Sequence, residues 1–478
     1  MKRFLLLMLC GAVLLGLCSC GVKNAQEPEA AAAPVDTEFV SDDGTIRVRL
    51  HGSDADDIPA AMPVLRARPQ VITLGMARRM AEGVFGDAEF FEFSEELSKA
   101  EIADMIAVYE YAVTDEAIRA AHGDAPQAWI DSVRDARLNI LEYYRNAYAV
   151  ARDEVTPVPC LWRFWPVEHY SVHGHDYAGT DPSYTDDIPA GVSVDLRAVA
   201  TVGGVPYELW VNNNERADFR NHSLSIFSLV PDELLDSCSG DERTAREREW
   251  LAGLGLLSAA PADEAELDAA CERAARLATD MGLGEWRFTA NAEEWAGDSG
   301  GWQIALTGQP VYDGFPVNWR NPSRDTSDLE RMTIHTANDG SLIHLQYVSP
   351  MEIISVEEPA APLKAWDEIS EAAAQAMLGW SYDTLIPNYA SEKVWWDEVG
   401  AVVSDVSMDI DAVRVGYACV PCGASDYLLI PAASFVGTLD VTGSIPGVHE
   451  SPMNLLLDDD GRRDAYLTID LKTASALK

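Results

Sequence analysis

From Glu264 onward the sequence runs twice through one plan, and that plan restricts the chain to a small set of folds. An amphipathic helix opens each pass, at Glu264–Met281 and again at Trp366–Leu378. In the first, Leu267, Ala270, Cys271, Ala274, Ala278 and Met281 recur at helical spacing, and Gly282 supplies the stop. Alternating strands follow: EWRFTA, GWQIALTG, GFPVNW and the hairpin ERMTIHTANDGSLIHLQYV around Asp339-Gly340. The second pass offers VVSDVSMDIDAVRVGYACV, DYLLIPAASFVG and DDDGRRDAYLTIDLKTA. Runs of strands with helices segregated between them predict an α+β fold of antiparallel meanders, each preceded by a helix. The strand–helix alternation that a doubly wound parallel sheet requires is missing.

Upstream, VSVDLRAV places Val192, Val194, Leu196 and Ala198 on one face, and Gly203-Gly204 turns it into Tyr207, Leu209 and Val211. Glycine supplies the positive φ of a two-residue hairpin turn. NHSLSIFSLV predicts a third strand. The N-terminal region is mainly helical, with helices at Leu74–Phe85, Lys99–Ala121 and Ala128–Ala151. Ile102, Met105, Ile106 and Tyr109 face Ile130, Val133, Ala136, Ile140 and Tyr144 in an expected antiparallel pair, interrupted at HGDAPQ. TIRVRLHG alternates as an edge strand would. The expected segments are a leader (1–19), a tether (20–40), a mainly helical region (41–155), a β-hairpin-rich region with a helix (156–260) and two helix-plus-meander modules (261–358 and 359–478).

The leader fixes the expected compartment. Lys2 and Arg3 precede an apolar run, Phe4–Leu17, that is too short to span a bilayer needing about 20 apolar residues. Leu17-Cys18-Ser19-Cys20 resembles the bacterial lipobox, which implies cleavage before Cys20 and its diacylation. The covalent diacylglycerol and fatty acid on Cys20 are the only expected cofactor, and they anchor the chain to the cell membrane on its extracytoplasmic side. GVKNAQEPEAAAAPVDTEF, rich in Ala, Pro and Glu, reads as a flexible spacer. The net charge of −43 becomes −45 once Lys2 and Arg3 leave, a field that repels nucleic acid. Hydrophobic content of 47% with 13 Trp is enough for real cores. Five cysteines follow the anchor (Cys160, Cys238, Cys271, Cys419 and Cys422), an odd number that leaves at least one thiol unpaired.

The strings EAAAQAMLGW, VRVGYACV, YLLIPAASFVG and AYLTIDLKT are similar to the pattern of PepSY-like and YycI-like extracytoplasmic modules. GVPY (Gly204–Tyr207) and GFPV (Gly314–Val317) resemble the G-I/V-P element of such meanders. Two positions depart from that pattern: Ala433 stands where those modules carry Trp, and Ala474 replaces a Gly after Thr473. The resemblance implies an inhibitor, pro-domain or regulator, hence binding to a partner.

Candidate chemistry is sparse. HYSVHGHDY gathers His169, His173, His175 and Asp176, ligand types that suit zinc, copper or nickel, although no second histidine cluster completes such a site. CVPC (Cys419–Cys422) lies on an expected hairpin tip, where a local disulfide would tighten the turn. LLLDDDGRRDAYL fails the calcium-loop register, with Leu456 and Leu467 at positions one and twelve. Trp162 with Trp165, and Trp395 with Trp396, are paired aromatics that fit either core or ligand platform. HExxH and P-loop motifs are absent, as is a GxSxG nucleophile elbow at a strand-to-helix turn. The expected function is therefore a lipid-anchored extracytoplasmic binding or regulatory protein without catalysis. Its partners would be the membrane, through the anchor, and another extracytoplasmic protein or peptide. Two alternatives stay open: a metal-assisted hydrolase using the His169–Asp176 cluster, and a solute-binding lipoprotein.

Overall fold

The computed structural model describes residues 37–42, 44–51, 58–93, 97–122, 125–166, 183–188, 191–216, 219–230, 240–295, 301–318, 330–378, 400–423, 426–447, 449–454 and 464–477. Strands β1 (Thr37–Val40), β2 (Ile46–Leu50) and β3 (Ala61–Pro69) precede helix α1 (Leu74–Phe85) and strand β4 (Phe91–Glu92). Helices α2 (Lys99–Ala112), α3 (Asp115–His122) and α4 (Gln127–Val150) follow. Then come β5 (Trp165–Pro166), β6 (Val194–Val202), β7 (Val205–Arg216), β8 (Phe219–Ser228), α5 (Gly240–Gly253) and α6 (Glu264–Asp280). Next are β9 (Trp286–Glu294), β10 (Trp302–Tyr312), β11 (Phe315–Pro316), β12 (Arg331–Thr336), β13 (Leu342–Val348), β14 (Met351–Pro362) and α7 (Trp366–Leu378). The last strands are β15 (Val402–Cys422), β16 (Asp426–Ile445), β17 (His449–Asn454), β18 (Asp464–Asp470) and β19 (Ser475–Ala476). The fold is α+β, as the sequence predicts.

Two sheets carry the molecule. In the first, β10, β12, β13, β8, β7 and β6 pair in that order, with β9 along the other side of β10 and every register antiparallel. Ile226 of β8 stands opposite Leu345 of β13, and this pairing fuses two meanders into one sheet. The segments expected as separate units, 156–260 and 261–358, thus share a sheet and a core. Helices α1, α5 and α6 cover its apolar face, placing Met80, Leu251, Ala274 and Ala278 over Leu209, Leu224, Ile304 and Ile334. A capping box starts α6: Glu266 N–H donates to the Asp263 carboxylate and Asp263 N–H to the Glu266 carboxylate, both at 2.9 Å. The two G-x-P hairpins match closely. Gly203 and Gly204 (φ 61° and 88°) and Asp313 and Gly314 (φ 51° and 81°) each hold positive φ at both central turn positions.

In the second sheet the long β15–β16 hairpin pairs with β2 on one side and β18 on the other. Here β2 is interior, between β1 and β15, and parallel to β15, with Val48 opposite Met408. It is not the edge strand its alternation predicts; β1 takes that place. Helix α7 closes this core, setting Ile369, Ala373 and Met377 against Met408, Phe435 and Ile469. β14 pairs with β3, so the module boundary expected at 358/359 falls inside a strand. Three register irregularities, glutamates and two prolines keep β14 from templating further strands.

Helices α2 to α4 form a satellite packed through Met105, Tyr109, Ala112 and Leu141. Tyr109 meets Tyr144 at 5.6 Å and Arg137 donates to the Ala112 carbonyl at 2.7 Å, an antiparallel arrangement. The expected helix Lys99–Ala121 is two helices, because Thr114 caps α3 by accepting from Ala117 N–H at 3.2 Å. Ala136 and Ile140 face outward, and Leu141 takes the buried place.

Ala474 has φ of 53° in the turn after β18, a left-handed conformation that favours Gly. The left-handed region costs an alanine about 1–2 kcal/mol, and part of any gain from Gly is lost to the entropy of the unfolded chain. Ala474→Gly is accordingly expected to raise stability by up to about 1 kcal/mol, read as a rise in the urea midpoint at unchanged m-value.

Candidate ligand-binding site

A cavity of about 500 Å³ opens where the first sheet meets its helices. The end of α1 (Val84, Phe85), the loop after α5 (Leu254, Leu256) and the middle of α6 (Ala270, Arg273, Ala274, Leu277) form one wall. The tips of the β6–β7 and β12–β13 hairpins and the sheet residues Leu306 and Ile334 form the other. The size lies within the roughly 300–1,000 Å³ of small-molecule pockets. Tyr207 ties the two hairpins together by donating its hydroxyl to the Leu342 carbonyl at 2.8 Å, and its ring meets Phe85 at 4.9 Å. Burial pushes the Tyr207 phenol up to about 12, so it stays a neutral donor.

Four polar side chains interrupt the apolar lining, namely Tyr207, Arg273, Thr336 and Ser341, and two of them carry groups without partners among the described residues. Arg273 stands on the core-facing stripe of α6, between Ala270 and Leu277, and runs against Gly340, where a Cβ would lie 3.0 Å from its Nε. Its Nη2 is buried and meets no acceptor among the described residues. Thr336 is 8% exposed, and its hydroxyl likewise has no partner among the described residues. A buried donor left unpaired costs about 1–3 kcal/mol. Both groups line the same cavity, an arrangement suited to recognition: an open recess with an apolar wall and donors fixed in it.

The opposite face of the sheet is polar. His335 and His344 are directly paired across β12 and β13, with rings 5.9 Å apart. Burial, and then its imidazole neighbour, lowers His344 to about 4; burial lowers His335 also, so both are neutral near pH 7. Where the two sheets join, Glu330 accepts hydrogen bonds from Tyr347 (2.6 Å) and Tyr312 (2.9 Å), and a further one from the Met351 backbone. Burial raises its carboxyl to about 7, against the opposing pull of those donors. This cluster clamps the ends of β10 and β13 to the start of β14.

The sequence candidates fare differently. Cys20 and the cluster His169, His173, His175 and Asp176 lie outside the described residues, as do Cys238, Trp395 and Trp396. Cys419 and Cys422 are not joined to each other by a disulfide. The expected disulfide is not formed, because β15 continues through Cys422 and a spacing of three on a strand sends the side chains to opposite faces. Cys419 packs with Tyr312 and Tyr427, whereas the Cys422 sulfur receives the Arg66 guanidinium at 3.6 Å. Cys160 and Cys271 have no disulfide partner among the described residues, and burial pushes Cys160 up to about 11. Trp162 packs edge-on to Phe90 at 5.5 Å and under Arg78, as part of the core margin. Among the described residues no group of three or more His, Cys, Asp and Glu could hold a metal ion, and no helix is long and apolar enough to cross a membrane. The sequence reading missed Arg273 and Thr336, although a charged residue on an otherwise apolar helical stripe was the available signal for the former.

Neither the family models nor the curated proteins match this chain. Among solved structures, an uncharacterized protein from Eubacterium rectale is similar at 11% identity and TM-score 0.31, over 59% of this chain and 76% of that one. The YpeB C-terminal domain of Bacillus megaterium is similar at 8% identity and TM-score 0.25, over 60% of this chain and 81% of that one. Overlaps this loose carry no functional argument.

Proposed function

We propose that the protein is a lipid-anchored extracytoplasmic binding or regulatory protein that acts by recognition and not by catalysis. The cavity beneath α6 supports this reading, because it joins an apolar wall of ligand size to two buried, unpartnered polar groups. The lipobox-like run ending at Cys20 supports the anchor. Binding in the cavity, close to two hairpin tips and three helices, would reach a partner through the packing of those elements.

Two measurements test it. Thermal shift across a panel of small amphiphiles should find members that raise the melting temperature, and Ala274→Phe, which fills the cavity, should abolish the rise. Labelled fatty acid should enter the wild-type protein and not Cys20→Ser, which should leave the membrane fraction. A turnover that disappears on changing one ionisable residue, or a panel response indifferent to Ala274→Phe, would overturn the proposal.

A further inference from the structure

We infer that the cavity beneath α6 takes an amphiphile with a single carboxylate head, the carboxylate meeting Arg273 and Thr336 and the hydrocarbon lying along Leu254, Leu277, Leu306 and Ile334. This rests on the proposed binding role and names the ligand class. The wall along Leu254, Leu277, Leu306 and Ile334 is aliphatic, whereas the polar groups belong to Arg273, Thr336, Ser341, Tyr207 and the hairpin-tip backbone, so the ligand has an apolar body and a polar head. Its fixed charge is one guanidinium, that of Arg273, which has no acceptor for its buried Nη2 and no ion-pair partner among the described residues. A guanidinium presents parallel donors that fit a carboxylate in a two-point contact, and the hydroxyl of Thr336 adds a neutral donor from the facing strand. The overall charge of −43 disfavours a doubly charged head, which argues for a carboxylate over a phosphate monoester. The geometry around Arg273 is held from both sides: Gly340, at φ 93°, leaves room for the Arg273 stem that any side chain would take. No covalent step is involved.

The test uses the purified full chain with decanoate and decanol as probes, in titration calorimetry. Decanoate should bind wild type roughly tenfold more tightly than decanol, the increment of one charge-assisted contact. Arg273→Met should remove that preference, bringing the affinities for the two probes together, and Thr336→Val should reduce it in part. Arg273→Met eliminates an unpartnered buried donor and should melt no lower than wild type, which separates lost recognition from lost folding. Equal affinity for the two probes in wild type, or a decanoate preference that survives Arg273→Met, would overturn the carboxylate assignment. In that case decanol binding blocked by Ala274→Phe would leave the cavity itself as a binding site. Absence of binding by either probe would sink both the ligand class and the site.

Discussion

Gly416→Ala is expected to destabilise the protein by about 3 kcal/mol, because the new methyl group has nowhere to go. Gly416 lies on β15, where the β10–β11 hairpin crosses from the first sheet to the second. An ideal Cβ there would overlap the Pro316 carbonyl oxygen, well inside van der Waals contact, and would press on the Asn318 amide. Neither neighbour can yield cheaply. Asn318 N–H donates to the Tyr417 carbonyl at 2.7 Å and its side-chain amide to the Arg414 carbonyl at 2.9 Å, so relieving the clash breaks the bonds that seat one sheet against the other. Gly75 in α1 is the control, since a Cβ there meets nothing nearer than 3.6 Å. Gly75→Ala should be neutral or slightly stabilising, by less than about 1 kcal/mol. Urea midpoints of the two variants read the contrast, and comparable midpoints would refute the close approach.

The second large effect is a pH dependence set by Glu330. Its carboxyl titrates at about 7 in the fold against 4.5 for an ordinary glutamate, chiefly because burial penalises the charged form. Between those values the folded protein keeps a proton that the unfolded chain has released. This contribution is therefore greatest at the acidic end and declines as pH rises through that window, by about 3 kcal/mol in total. The many surface carboxylates also repel one another more as pH rises, so the informative quantity is the difference from Glu330→Gln. The amide keeps an acceptor for Tyr312 and Tyr347 but cannot ionise. Relative to wild type, the variant should gain stability between about pH 5 and about pH 8. Parallel stability curves would show that Glu330 does not titrate in this range.

Periodicity made most of the helices legible. α1, α6 and α7 follow their apolar spacing, and positive φ at Gly203, Gly204 and Gly314 is what their turns demand. The β3–β14 pairing was hidden because neither strand alternates: β3 carries Pro63 and Pro69, and β14 is bulged three times along its length. Ala136 and Ile140 fit one helical stripe as well as Ile130 and Leu141 fit another, and only tertiary packing decides between them. Cys419 and Cys422 were read as a hairpin tip, whereas continuous pairing down to Cys422 opposite Asp426 sets their sulfurs apart. Sites are harder to see because their information is spatial. Arg273 and Thr336 are brought to one cavity by a helix and a strand far apart in sequence, and neither belongs to a motif.

The place of β2 beside β15 has a further consequence, for the order in which the molecule can be finished. Arg47 and Asp405, ion-paired across that junction, are 358 residues apart in the chain. During synthesis β2 can pair with β1 at once, but its other side must wait until β15 has been made. Closure over such a span is slow, and the waiting strands present open hydrogen-bonding rims to any neighbour.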